Sequence, residues 1–109
     1  QVLLVGRITK TPEVIETESG KKLSYITIAV QRPFKNTNGL YDTDFIRCVL
    51  WNAIAENTAE YTKTGDVIGI KGRIQVDKYQ DDNDETKYVT EIIAEKISFI
   101  SSSHSGEEK

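Results

Sequence analysis

The sequence predicts an all-β fold with one short helix, a five-stranded barrel in which the helix falls between strands 3 and 4. Three observations carry that prediction. Apolar residues recur at every second position in several stretches, the period of a strand buried on one face. Only residues 52–62 have the composition and end signals of a helix. Glycines inside strand patterns, at Gly6, Gly69 and Gly72, mark the bends that barrel closure requires. With 109 residues the chain can bury a single core. One domain is therefore expected over residues 1–100, followed by a disordered polar tail over 101–109.

The first strand opens with Val2-Leu3-Leu4-Val5, which is apolar on both faces. Such a strand is either central in the fold or covered by another chain. Pro12 stops its pairing, and Glu13–Thr17 resumes as a short extension. Ser19-Gly20 reads as a hairpin turn. Leu23–Val30 is the second strand, with Ile26, Ile28 and Val30 assigned to the core. Residues 32–41 read as a loop of about ten residues around an Asn38-Gly39 turn signal. Phe34 sits in it between Arg32 and Lys35 and reads as a mobile finger that stacks on a base. The alternative is a ring folded back onto the barrel end.

The third strand, Asp44–Trp51, organises the rest. Alternation puts Ile46, Cys48 and Leu50 on a core face and Phe45, Arg47, Val49 and Trp51 on the other. Two rings around a guanidinium make a poor core, because Arg is rarely buried unpaired. They make a good surface for stacking flat rings and neutralising a charged chain. After it, Asn52 is a suitable N-cap, Ile54, Thr58 and Tyr61 share a helix face, and Gly65 is expected at C′. This helix is expected to plug a barrel end. Val67–Tyr79 is the fourth strand, with Ile68, Ile70, Ile74 and Val76 on one face and Lys71, Arg73, Gln75, Asp77 and Tyr79 on the other. An acidic tip, Gln80–Glu85, turns the chain into the last strand, Thr86–Phe99.

No catalytic set is present in this pattern. The single histidine, His104, stands in the polar tail, so neither a His dyad nor a zinc site has a scaffold. Neighbouring carboxylates form an exposed tip, and no phosphate loop is formed by the glycines. Neither a cofactor nor a metal is expected, and the chain does not read as an enzyme. Cys48, the one cysteine, reads as a buried reduced thiol of a cytoplasmic protein. There is no run of about 18 apolar residues, so no membrane span is expected. No secretory signal is expected either.

The net charge of −3 speaks against a protein held to phosphates by charge alone. Its distribution is uneven: residues 1–51 hold seven Lys/Arg and five Asp/Glu, residues 52–109 seven and twelve. Stacking can supply what charge does not. Each ring on a base is worth about 1–3 kcal/mol whatever the base. The stacking candidates are Phe34, Phe45, Trp51 and Tyr79; the phosphate candidates are Arg32, Lys35, Arg47, Lys71, Arg73, Lys78 and Lys87. Unpaired strands expose base faces and duplexes hide them, so the partner expected is single-stranded nucleic acid.

Five strands with this helix placement are the arrangement of the oligonucleotide/oligosaccharide-binding (OB) barrel. Val2–Glu13, Asp44–Trp51, Ala55–Tyr61 and Ile70–Gln75 resemble the bacterial single-stranded DNA-binding protein family, over Val2 to about Phe99. The resemblance implies a homotetramer whose first strands pair through Val2–Val5, and base stacking by Phe34, Phe45, Trp51 and Tyr79. It implies sequence-independent binding and protection of single-stranded DNA in replication, recombination and repair, in a cytoplasmic, nucleoid-associated protein. Gln75 and Asp77 stand where the family often has basic residues. The chain resembles a short or tail-less member, so protein recruitment through an acidic C-terminal tip is not expected. The alternative reading is an OB module for RNA or for a protein partner of the primosome accessory type.

Overall fold

The computed structural model describes residues 1–102; His104 and residues 103–109 of the expected tail lie outside the described residues. The strands are β1 (Val2–Ile8), β2 (Ile15–Glu16), β3 (Lys22–Lys35), β4 (Tyr41–Trp51), β5 (Val67–Gln80) and β6 (Thr86–Ser101), with one helix, α1 (Asn52–Tyr61). The sheet order is β1-β5-β6-β4-β3-β2, and an added β1–β3 pairing closes it into a five-stranded barrel. The helix lies between β4 and β5. It follows the third long strand, as expected, because the two-residue β2 is the short extension at Ile15–Glu16. All neighbours are antiparallel except β4 and β6, which meet in parallel at Cys48↔Ile92 and Val49↔Ile93.

The core follows the alternation. Ile8, Ile26, Ile28, Cys48, Leu50, Ile68, Ile70, Ile92 and Ala94 are buried together, with Ala55 of α1 packed on them. Gly72 is required by close approach: a Cβ there would run into the Ile93 carbonyl oxygen. On β1, Val2 and Leu4 pack on the core while Leu3 and Val5 stand exposed on the outer face, as a doubly apolar strand requires.

Four expectations need correction. Ile74 and Val76 are exposed, although the alternation is right, because β5 and β6 outrun the barrel and pair on as a free two-stranded arm. Residues 32–41 are not a ten-residue loop. β3 reaches Lys35 and β4 starts at Tyr41, leaving a turn at 36–40 and an irregularity between Gln31 and Lys35. Asn52 does not cap α1; it adopts a left-handed φ of 53° and its Oδ1 accepts the Lys22 N–H, while Trp51 holds the N-cap place. Gly65 is not the C′ residue, since α1 ends at Tyr61 with Thr62 as C-cap. It belongs instead to the next turn, donating its N–H to the Ile8 carbonyl.

Candidate nucleic-acid interface

β4 places the centre of the site. Phe45, Arg47 and Trp51 are exposed on one face, as alternation demands. Val49 shares that face and is buried, because Tyr25 and Ile93 stand directly across from it on β3 and β6. Arg47 is oriented on both sides. Its guanidinium carbon lies 4.2 Å from the centroid of the Tyr25 ring, and its Nε is 3.9 Å from Glu91 Oε2. A cation over a ring face is attracted by the ring quadrupole. Glu91, whose side chain is only 15% exposed, steers the guanidinium from the β6 side.

Tyr25 is the residue that sequence reasoning missed. It alternates with Ile26 and Ile28, so the same period that assigns those to the core puts Tyr25 on the face of Arg47. Tyr41 and Tyr88 were missed as well; both are exposed aromatics on the arms.

The register extends this platform. Ile93 pairs with Val49 on one side and with Arg73 on the other, so Arg73, Ile93, Val49 and Tyr25 form one row across four strands. Gln75, Asp77 and Tyr79 continue on the same face of β5, out along the arm. Arg73 Nη1 donates to Gln75 Oε1 at 3.0 Å, and Gln75 Nε2 donates to Asp77 Oδ2 at 3.2 Å. Gln75, itself bonded to Asp77, therefore holds Arg73 down. Phe34 is 79% exposed, at the irregularity near the end of β3. It is carried on a strand rather than on a flexible finger.

The expected phosphate contacts separate. Arg47 and Arg73 stand on the platform. Lys35 Nζ lies 5.8 Å over the Tyr41 ring, on the β3–β4 arm. Lys71 stands across from Leu3 of β1, and Lys78 alternates with Tyr79 and so faces the other side of its arm, across from Tyr88. Besides Arg47 at Glu91, two more are already paired with carboxylates. Arg32 donates through Nε and Nη2 to the Asp44 carboxylate at 2.9–3.2 Å, with Asp42 at 4.0 Å. That hydrogen-bonded pairing raises the Arg32 pKa and holds the Asp44 carboxyl below its ordinary range. Asp44 alternates with Phe45, so Arg32 is turned to the face opposite the platform. Lys87 is held by Glu85 at 3.3 Å and Asp81 at 3.9 Å. Exposed pairs of this kind are weak, and a competing phosphate can open them.

Beneath the site, burial pushes the Cys48 thiol up to about 12. It carries no nucleophile at neutral pH. Among the described residues no cluster of His, Cys, Asp or Glu could hold a metal ion.

Rings projecting from a closed five-stranded barrel, around one oriented guanidinium, define an OB barrel with an aromatic ligand face. The comparisons with known proteins agree and narrow the class. The Single-strand binding protein family matches residues 1–100, and the chain belongs to that family. It is 44% identical over 106 residues to single-stranded DNA-binding protein 3 of Listeria innocua, covering 97% of this chain and 66% of that protein. To single-stranded DNA-binding protein B of Bacillus subtilis it is 42% identical over 100 residues, covering 92% and 88%. To the single-stranded DNA-binding protein of Bacillus cereus it is 40% identical over 109 residues, spanning all of this chain and 64% of that protein.

Proposed function

We propose that this chain binds single-stranded DNA without sequence preference, by stacking bases on Trp51, Phe45, Phe34 and Tyr79, and protects unpaired strands in replication, recombination and repair. The observation that carries this reading is the set of exposed rings around Arg47 on the outer face of β4. Phosphates meet Arg47 and Arg73 on the platform and Lys35 beside it. Arg32, Lys71, Lys78 and Lys87 serve the flanks of the path, Arg32 and Lys87 only after leaving their carboxylates. Residues 1–100 act as the DNA-binding domain and 101–109 as a polar tail, in a cytoplasmic, nucleoid-associated protein.

Self-association belongs to the same reading. Leu3 and Val5 are apolar and more than half exposed on β1. Pairing of β1 with its copy, within a homotetramer, covers them. A single tryptophan makes the DNA test direct. Oligo-dT is expected to quench Trp51 fluorescence, oligo-rU less so, and duplex not at all. No response to any of the three defeats the proposal, and a preference for oligo-rU favours RNA instead.

A further inference from the structure

The described surface holds a groove that none of the expected contacts uses. It has a volume of about 330 Å³, lies between the chain after β1 and the outer face of β3, and is lined by Thr9, Lys10, Glu13, Ile15, Tyr25 and Thr27 among others. That size falls within the range of small-ligand sites, about 300–1,000 Å³. Its position relative to Tyr25 gives it a purpose. Arg47, on β4, covers one face of the Tyr25 ring. The groove residues Thr9–Ile15 lie on the opposite side of β3 from β4, since β3 pairs with β4 on one edge and with β2 and β1 on the other. Tyr25 itself lines the groove, on the side of β3 away from the strand that carries Arg47.

We propose that this groove is a nucleotide subsite in which one base of the bound strand stacks on the face of Tyr25 away from Arg47. The inference rests on the single-stranded DNA reading and adds a fifth stacking ring to it. Ile15, about half exposed at the groove wall, supplies apolar contact to the other side of the base. Lys10 is exposed, has no acidic partner among the described residues, and meets the adjoining phosphate. Thr9 is spent structurally: its Oγ1 donates to the Thr27 carbonyl at 2.8 Å, which fixes the groove floor. Glu13 is the acceptor in the groove. Carboxylates accept from the exocyclic amine of cytosine, so an amino-bearing base gains one contact here that thymine lacks. Stacking leaves the subsite open to every base and the chain as a whole without sequence preference.

Tyr25 also carries Arg47, so its loss alone is ambiguous, and two readouts separate the roles. The first is affinity of the full chain for labelled oligo-dC and oligo-dT by anisotropy. Tyr25→Leu is expected to lose about 10-fold on oligo-dC, within the range of one stacked base. Tyr25→Phe is expected to stay within about 2-fold, since the ring remains. Trp51→Ala serves as the reference for platform stacking. The second readout is photocrosslinking with 5-iododeoxycytidine oligonucleotides and mass spectrometry of the adducts, expected at Tyr25 as well as on the platform. Affinity loss without a Tyr25 adduct means that the ring only positions Arg47, and overturns the subsite. Loss in Trp51→Ala with none in Tyr25→Leu overturns it too, while leaving the DNA reading intact. If the unaltered chain binds neither oligonucleotide, the DNA reading itself fails.

Discussion

The two hairpin arms, β3–β4 and β5–β6, solve the same backbone problem and carry opposite chemistry. In each, the first tip residue is an Asx whose Oδ1 accepts two N–H groups. Asn36 takes those of Asn38 and Leu40 at 2.9 and 3.0 Å, and Asp81 those of Asn83 and Glu85 at 2.9 and 3.0 Å. Each tip is closed by the same backbone pair, Asn36 to Leu40 at 2.7 Å and Asp81 to Glu85 at 3.0 Å. Each puts its fourth residue in the left-handed region, Gly39 at φ 78° and Asp84 at φ 61°. Charge is where they part. The first arm balances Arg32 and Lys35 against Asp42 and Asp44. The second ends in Asp81, Asp82, Asp84 and Glu85, with Lys87 drawn in among them. A strand leaving the barrel along β5–β6 passes Tyr79 and meets a negative tip; along β3–β4 it passes Phe34 and meets none. Identical turns thus leave the charge of an arm free to decide how far a polyanion follows it.

The largest expected effect tests the barrel against the acidic arm. Trp51→Ala, at the base, is expected to weaken binding of oligo-dT by about 5- to 150-fold, the equivalent of about 1–3 kcal/mol for one stacked base. Tyr79→Ala is expected to cost less, because the neighbouring carboxylates already repel the strand there. Titration of a labelled oligonucleotide at fixed salt reads both, and equal losses would break the comparison. A smaller effect comes from the tip itself. Asp82→Lys reverses an exposed charge that makes no hydrogen bond among the described residues. It is expected to tighten binding, most at low salt. The slope of log K against log salt should steepen by about 0.7 if one more phosphate is neutralised. An unchanged slope would place the strand's path away from this arm.

Much of this was legible in the sequence, and the failures have physical causes. Period-two alternation assigned the faces of β4 and β5 correctly, because that period belongs to each strand alone. How far the core extends along a strand does not. Ile74 and Val76 sit on the face that alternation gives them, yet are exposed, since nothing local says that β5 and β6 continue past the barrel. Val49 is the converse case, covered by Tyr25 and Ile93 from strands that only the register brings beside it. Arg32 looked like a free cation for the same reason; the Arg32–Asp44 pair spans twelve residues and exists only once the hairpin is paired. Lys87 is different, since Glu85 and Asp81 stand close to it in sequence and the tip was read only as a solvated turn. Asn38-Gly39 marked the turn correctly, but the loop drawn around it was overlong. Tyr25 differs from these. Its face was available from Ile26 and Ile28, and it was lost because the strand was read only for its core side.

The smallest expected effect tests whether the two tips are interchangeable as turns. Asp84 holds a left-handed backbone that an L-residue adopts at a cost, while glycine adopts it freely. Asp84→Gly removes that cost but gives the unfolded chain more freedom, an opposing term of about 0.5–1 kcal/mol. It also removes one of four clustered carboxylates. The balance is expected to favour the variant by a few tenths to about 1 kcal/mol. Gly39→Asp is the reciprocal change. A Cβ at Gly39 would meet nothing within 4 Å, so its cost is conformational alone and of similar size with the opposite sign. Urea denaturation of both variants and of the double variant measures the two terms through their midpoints at constant m. If the turns are equivalent, the double variant returns to near the parent stability. A double variant that stays destabilised would mean that Gly39 serves its arm in some way beyond its φ, and that the likeness of the two tips ends at their hydrogen bonds.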